Sequence, residues 1–210
     1  QRVEPRPAHK NSIATITLAL RSISSPDIAV YPTAPVPRAD LSDLFEETYD
    51  DGIPGFYIHA DAGHSIHGHV RADGLLEYTV EASGDESIGI SGTDLFASAI
   101  NALHREGIAV KAILSTWTAG TNLRQFHNYF DTQKIRPQDA SPEQLREAIA
   151  TTWGGRLHSK YGLEPKLVTL LRDGGVQVFF SNGTVGDSSA AADSTEGPNV
   201  SIASIALGDS

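Results

Sequence analysis

Four of the eight histidines fall within residues 59–69, at His59, His64, His67 and His69. On an extended strand His67 and His69 project from one face, and His64 points to the other. With Glu77 across the strand pair from His69, two imidazole nitrogens and a carboxylate would suit zinc, nickel or copper. The competing reading is a hairpin face that is polar because it meets water. A second group is Ser115-Thr116-Trp117-Thr118-Ala119-Gly120-Thr121-Asn122, where an apolar run gives way to small residues that open a helix. Such a junction gathers hydroxyls, an indole and free helical N–H groups, which suit an anionic or nucleotide-type ligand. Its alternative is a core tryptophan beside two capping residues.

The third group is Thr151-Thr152-Trp153-Gly154-Gly155-Arg156, followed by His158 and Lys160. Paired glycines inside a helical pattern cost about 1–2 kcal/mol relative to alanine, which implies close approach by a neighbour or a ligand. If the second and third groups converge, Trp117 and Trp153 would stack on a base or nicotinamide. Arg156 would then meet phosphate and Asn122 would orient a ribose. Glu77, His127 and His158 are the candidate acid–base groups. No P-loop, G-x-G-x-x-G, H-E-x-x-H or G-x-S-x-G motif occurs, and no spacing nominates a Ser-His-Asp triad. The cofactor, if one is used, is left open by these residues.

Composition narrows the classes. The 210 residues are 40% hydrophobic and 20% charged, as in an ordinary globular chain. The absence of cysteine excludes disulfides, thiolate metal sites and thiol nucleophiles. A net charge of −10 opposes phosphate-backbone binding, so nucleic acid is a minor reading. No apolar run approaches the ~20 residues of a membrane-crossing helix. Methionine is missing even at position 1, which leads us to expect a piece excised from a longer precursor.

These groups need elements to hold them. Residues 1–52 read as an extended, proline-rich lead, with a strand-like run at 11–20, a connector at 26–38 and one or two helical turns before Gly52. Residues 53–181 read as a compact α+β domain, with a mixed, largely antiparallel sheet, two β-hairpins and about three helices. The first hairpin joins 64–71 to 75–82 through Ala72-Asp73-Gly74. A three-residue loop with Gly74 left-handed sorts its faces, setting Val70 against Leu76, Gly68 against Tyr78 and Ile66 against Val80.

A helix over 94–106 capped by Thr93 is expected to bury Leu95, Phe96, Ala99, Ile100 and Leu103 and to end at Gly107. Residues 108–117 read as a strand covered on both faces. A helix capped by Thr121 or Asn122 follows. Ser141, Pro142 and Gln144 then open a third helix with a capping box, running through Leu145, Ile149, Trp153 and Leu157 to Gly162. Residues 166–171 and 176–181 form the second hairpin. Residues 182–210 read as a flexible tail with a possible edge strand at 200–207.

The run Ser91-Gly92-Thr93-Asp94-Leu95-Phe96, then Ile108 to Trp117, then Gly120 to Phe126, resembles a domain type at the C-terminal ends of bacterial polymorphic toxins of the Rhs and haemagglutinin kinds. Thr152-Trp153-Gly154-Gly155 and the helix and hairpin after it are similar too, so the resemblance covers residues 74–181. His127 departs from it, standing where a second asparagine is expected. The resemblance implies secretion or delivery into a target cell, and a cognate immunity or carrier protein as partner. It identifies no reaction. Three readings follow: a toxin or effector enzyme acting on a nucleotide-type substrate such as NAD, a non-catalytic binding or accessory module, and a metal-dependent enzyme on the His-rich hairpin.

Overall fold

A computed structural model describes residues 37–50, 53–82, 89–182 and 201–207. The strands are β1 (Phe45–Asp50), β2 (Ile53–Asp61), β3 (His64–Val70), β4 (Leu75–Ala82), β5 (Ala112–Trp117), β6 (Glu164–Leu171), β7 (Val176–Ser181) and β8 (Ser201–Ala206). The α-helices are α1 (Gly92–Arg105), α2 (Gly120–Gln133), α3 (Pro142–Thr151) and α4 (Trp153–Ser159).

Two Asp-Gly turns of one design frame the sheet. In the first, Arg71 N–H donates to Leu75 O and Gly74 N–H to Arg71 O, both at 2.9 Å, with Gly74 at φ 87°. In the second, Leu171 N–H donates to Gly175 O at 2.9 Å and Gly174 N–H to Leu171 O at 3.1 Å, with Gly174 at φ 84°. The aspartate of each turn accepts from the backbone two residues on, Asp73 from Leu75 N–H at 3.1 Å and Asp173 from Gly175 N–H at 2.9 Å. The three-residue loop yields the expected register, with Val70 against Leu76, Gly68 against Tyr78 and Ile66 against Val80.

The strands form one sheet in the order β1-β2-β3-β4-β5-β7-β6-β8. Every neighbouring pair is antiparallel except β4 and β5. A parallel pair needs a long crossover, and α1 supplies it. Ile66, Leu76, Ile113, Trp117, Val168, Val178 and Phe180 join Leu95, Phe96, Phe126, Phe130, Leu145, Ile149 and Leu157 from the helices in the main core. Leu75, Ala112 and Phe179 point the other way, with Leu114 and Leu167 against them. The fold is therefore α+β with a mixed, mostly antiparallel sheet, and β5 is apolar toward both faces.

Several boundaries differ from the sequence reading, each for a local reason. The helical turns expected before Gly52 reduce to a 3-10 turn at Ser42–Leu44, and the chain then enters β1. Pairing with β2 stacks Phe45 on Phe56, ring centroids 5.8 Å apart, and this tertiary contact outweighs local helix preference. Residues 37–44 also pack on α1: Arg38 N–H donates to Asp94 Oδ1 at 2.8 Å, and Leu41 N–H to Ser98 Oγ at 2.9 Å. Helix α1 is capped by Ser91, not Thr93, because Ser91 and Asp94 form a reciprocal capping box.

The strand expected from Ile108 starts at Ala112, and Gly107, at φ 75°, follows α1 as expected. Helix α2 begins at Gly120 with Ala119 as its N-cap, so Thr121 and Asn122 lie inside its first turn. The capping box of Ser141 and Gln144 with Pro142 opens α3 as read. That helix does not run on to Leu157. Thr152 is extended (φ −75°, ψ 157°), ending α3 and capping α4, so the described residues hold four α-helices where about three were expected. Strand β8 pairs with β6 at the sheet edge. The strand-like run at 11–20, the connector up to residue 36 and the tail over 183–200 lie outside the described residues.

Candidate functional site

The break at Thr152 organises the region where the sequence reading gathers its binding residues. A helix start leaves its first N–H groups without partners inside the helix. At α4 each of these is taken. Trp153 N–H donates to Gln125 Oε1 and Gly154 N–H to Asn122 Oδ1, both at 2.8 Å. Gly155 N–H donates to Thr152 Oγ1 at 2.9 Å, after which the ordinary helical ladder begins with Arg156 N–H to Thr152 O at 3.1 Å. The N-terminus of α4 is therefore occupied by side chains of its own fold.

Trp117, Asn122 and Trp153 do converge, around this helix start. Trp117 is only 5% exposed, and its indole lies 3.4 Å from where a Cβ on Gly154 would stand. It meets Phe126 edge-on, centroids 6.4 Å apart. Trp153 is half-buried, lies against Gly92 and directs its indole N–H toward Thr93 Oγ1 at 3.4 Å. A Cβ on Gly155 would sit 2.0 Å from Ile149 O. The paired glycines thus answer to close approach by neighbours within the fold.

The three candidate acid–base groups are apart. His158 is buried, its Nε2 2.8 Å from the Tyr78 hydroxyl and its ring among Phe96 and Phe180. Burial pushes its pKa down to about 3 and, as the largest effect, raises that of the Tyr78 phenol. The pair is neutral at physiological pH, and His158 Nδ1 has no hydrogen-bond partner among the described residues. Glu77, next to Tyr78 on β4, points to the opposite face of the sheet. His127, half-exposed on α2, makes a 3.0 Å hydrogen bond through Nε2 with Gly174 O at the second hairpin turn.

His67 and His69 share the outer side of β3 with Glu77, as the strand parity required. His69 Nε2 lies 3.9 Å from Glu77 Oε1, and Tyr57 pairs with His67 across the strands. The Tyr57 hydroxyl and His59 Nδ1 are 3.1 Å apart. His64 is turned inward, 1% exposed, with Nδ1 2.9 Å from Asp61 Oδ1. Among the described residues, no group of three His, Asp or Glu side chains is close enough to hold a metal ion.

Arg156 belongs to a different place. It lines a surface cleft of about 260 Å³ together with Arg146, Ile149, Ala150, Ser159 and Glu164. None of Trp117, Asn122 or Trp153 lines it. The Arg156 guanidinium donates through Nη1 to Thr151 O, the last residue of α3, which tethers it at the α3–α4 break. Glu164 Oε2 accepts from Lys166 Nζ at 3.0 Å. A lining of two arginines, a serine and an aliphatic floor can hold an anionic group beside a flat or apolar one. Arg146, Ser159 and Glu164 were missed by sequence reasoning; for Arg146 the reason is that the backbone reorients at Thr152 and helical periodicity does not carry across that break.

No family model, curated protein or solved structure matches this chain.

Proposed function

We propose that this chain is a toxin or effector domain, delivered into a target cell, that engages a nucleotide-type small molecule such as NAD through the arginine cleft between α3, α4 and β6. The observation that carries the ligand class is the pairing of Arg146 with Arg156 in one cleft of a chain whose net charge is −10. Two arginines lining one cleft of an acidic molecule suit a small anion and disfavour a long polyanion. Guanidiniums present forked donors to phosphate oxygens, and Ile149 and Ala150 offer an apolar surface beside them.

Delivery rests on the resemblance to polymorphic toxin domains. The separate stretches that carry it meet in the fold: Gly92 and Thr93 against Trp153, Asn122 and Gln125 on the first N–H groups of α4, and Trp117 against Gly154. An immunity or carrier protein would be the partner of such a domain. The test is induced expression of residues 1–210 in a bacterial host, with growth and total NAD(H) followed together. Growth arrest with NAD loss is expected. Normal growth with soluble, folded protein would overturn the reading.

A non-catalytic binding or accessory module is the second reading. It is favoured by the burial of Trp117 and by the separation of Glu77, His127 and His158. It predicts that the cleft binds ligand while substrate is not turned over.

A further inference from the structure

We propose that the residues between β7 and β8, 183–200, cross the sheet on the face opposite the helices and cover its apolar centre. This placement is independent of the nucleotide reading: it assigns an occupant to a surface that a partner protein would otherwise find open.

Strand direction and order point to the route. β4, β5 and β6 run one way and β7 and β8 the other, as their pairings require. The chain twice links parallel strands while moving from the β4 side of the sheet toward β8: from β4 to β5 through α1, and from β5 to β6 through α2, α3 and α4. Both connections lie on the helical face, where Leu95, Phe126, Leu145 and Leu157 join the main core. They therefore share one hand, and crossovers between parallel strands of one sheet are almost always right-handed. β7 and β8 are also parallel, with β6 between them, and the chain again moves toward β8. Because this pair runs in the opposite direction, a crossover of the same hand falls on the opposite face. The helical face over β6 is already taken by α3 and α4. The return along β6 and across two strand spacings spans roughly 30 Å, about nine extended residues, so 183–200 has chain to spare for contact with the face.

The outer face calls for such a cover. Phe179 points away from the helices, flanked in one cross-strand row by Leu114 on β5 and Leu167 on β6, with Leu75 and Ala112 in the same cluster. Phe179 is only 2% exposed, although every member of this cluster is a strand residue and among the described residues no helix contributes to it. Neighbours within a sheet shield a ring at its sides and leave its end open, so burial this complete points to chain stacked on the face. Over β2 and β3 the same face is polar, carrying Tyr57, His59, His67 and His69. Its apolar part is confined to the strands that the crossover spans or borders. Val185 and Ala190 to Ala192 supply the segment with small apolar groups, while Asp187, Asp193 and Glu196 suit a side that meets water. The N-terminal residues 1–36 lead instead to the helical side, where Arg38 N–H donates to Asp94 of α1.

The test uses the intact chain, whose lack of cysteine allows a single one to be placed and labelled. Leu167→Cys, carrying a maleimide-linked benzophenone, sets a photoreactive group on β6, which any crossing of the outer face between β7 and β8 must pass. Illumination of the folded protein, followed by peptide mapping, is expected to show capture of residues 183–200 within the same chain. The same label on His67→Cys, on the polar part of the face, should capture that segment at least tenfold less. Should labelled Leu167→Cys lose the wild-type circular dichroism, Gln177→Cys on the same face of β7 takes its place. Capture of residues 1–36, or of a second copy as a covalent dimer, would overturn the placement by naming another occupant. Equal capture from both sites, or none from the apolar one, would overturn it as well, because the segment would then roam or follow another route.

Discussion

Gly154 and Gly155 are neighbours in sequence with different tolerances. A Cβ on Gly154 would meet Asn122 Nδ2 at 3.2 Å and Trp117 at 3.4 Å, contacts that side chains can ease. One on Gly155 would lie 2.0 Å from a backbone oxygen that cannot. Gly154→Ala should therefore cost about 1 kcal/mol or less, and Gly155→Ala about 3 kcal/mol or more, by urea denaturation. Equal costs would contradict the packing described for α3 and α4. Asn122 is argued in the same way. Asn122→Ala leaves the buried Gly154 N–H without its acceptor and should cost about 1–3 kcal/mol, whereas Asn122→Asp keeps an acceptor at a helix start and should cost much less.

His158 gives the residue scale a pH dependence. Its pKa is about 3 in the fold against about 6.5 in an unfolded chain. Between these values the unfolded chain takes up a proton that the folded chain refuses. Stability contributed by the neutral imidazole is thus complete above pH 6.5 and is lost as pH falls through that window, by about 1.4 kcal/mol per pH unit. His158→Gln removes this titration and should flatten the acid side of the profile. The check is the urea midpoint of both proteins at pH 7, 5.5 and 4.5. Parallel profiles would mean that His158 is not the group that titrates.

At the scale of elements, the two hairpin turns share backbone geometry and differ in surroundings. A Cβ on Gly74 would lie 3.0 Å from Lys111 and 3.1 Å from Ala109 O, whereas one on Gly174 would meet nothing within 4 Å. Both glycines sit in the left-handed region. Gly174→Ala should cost about 1 kcal/mol, the intrinsic penalty of that conformation, and Gly74→Ala clearly more. Thermal unfolding of the two variants would show the difference. Both hairpins and the register of the first were legible in the sequence, with strand ends one or two residues off, because face sorting and Asp-Gly chemistry are local and agree with one another. The capping box at Ser141 was legible for the same reason.

What escaped depended on partners far along the chain. The extended Thr152 is stabilised by what it does for α4, and Gln125 and Asn122 complete that cap from α2. No window of sequence around Thr152 contains them. Trp117, Asn122 and Trp153, whose convergence the sequence left as a condition, lie around one helix start whose first N–H groups are taken by neighbouring side chains. Arg156 was legible as a cation, but its companion Arg146 was hidden on the far side of the break. Strand β1 was misread because Phe45 gains its partner, Phe56, only in the sheet.

For the whole molecule, the acidic balance and the arginine cleft are one argument. Glu46 and Glu47 are exposed on β1 at the sheet edge, where charge discourages pairing with another chain. The acidic surface repels polyanions generally, and the cleft offers a local exception for a small one. The measurement that tests this account most directly is growth of a bacterial host expressing the chain, wild type beside the Arg146→Gln/Arg156→Gln double variant, with both proteins shown to be equally soluble and folded. The account predicts growth arrest by the wild type and recovery with the double variant. Arrest by both would contradict the arginine cleft as the functional site, and growth with both would contradict the effector function itself.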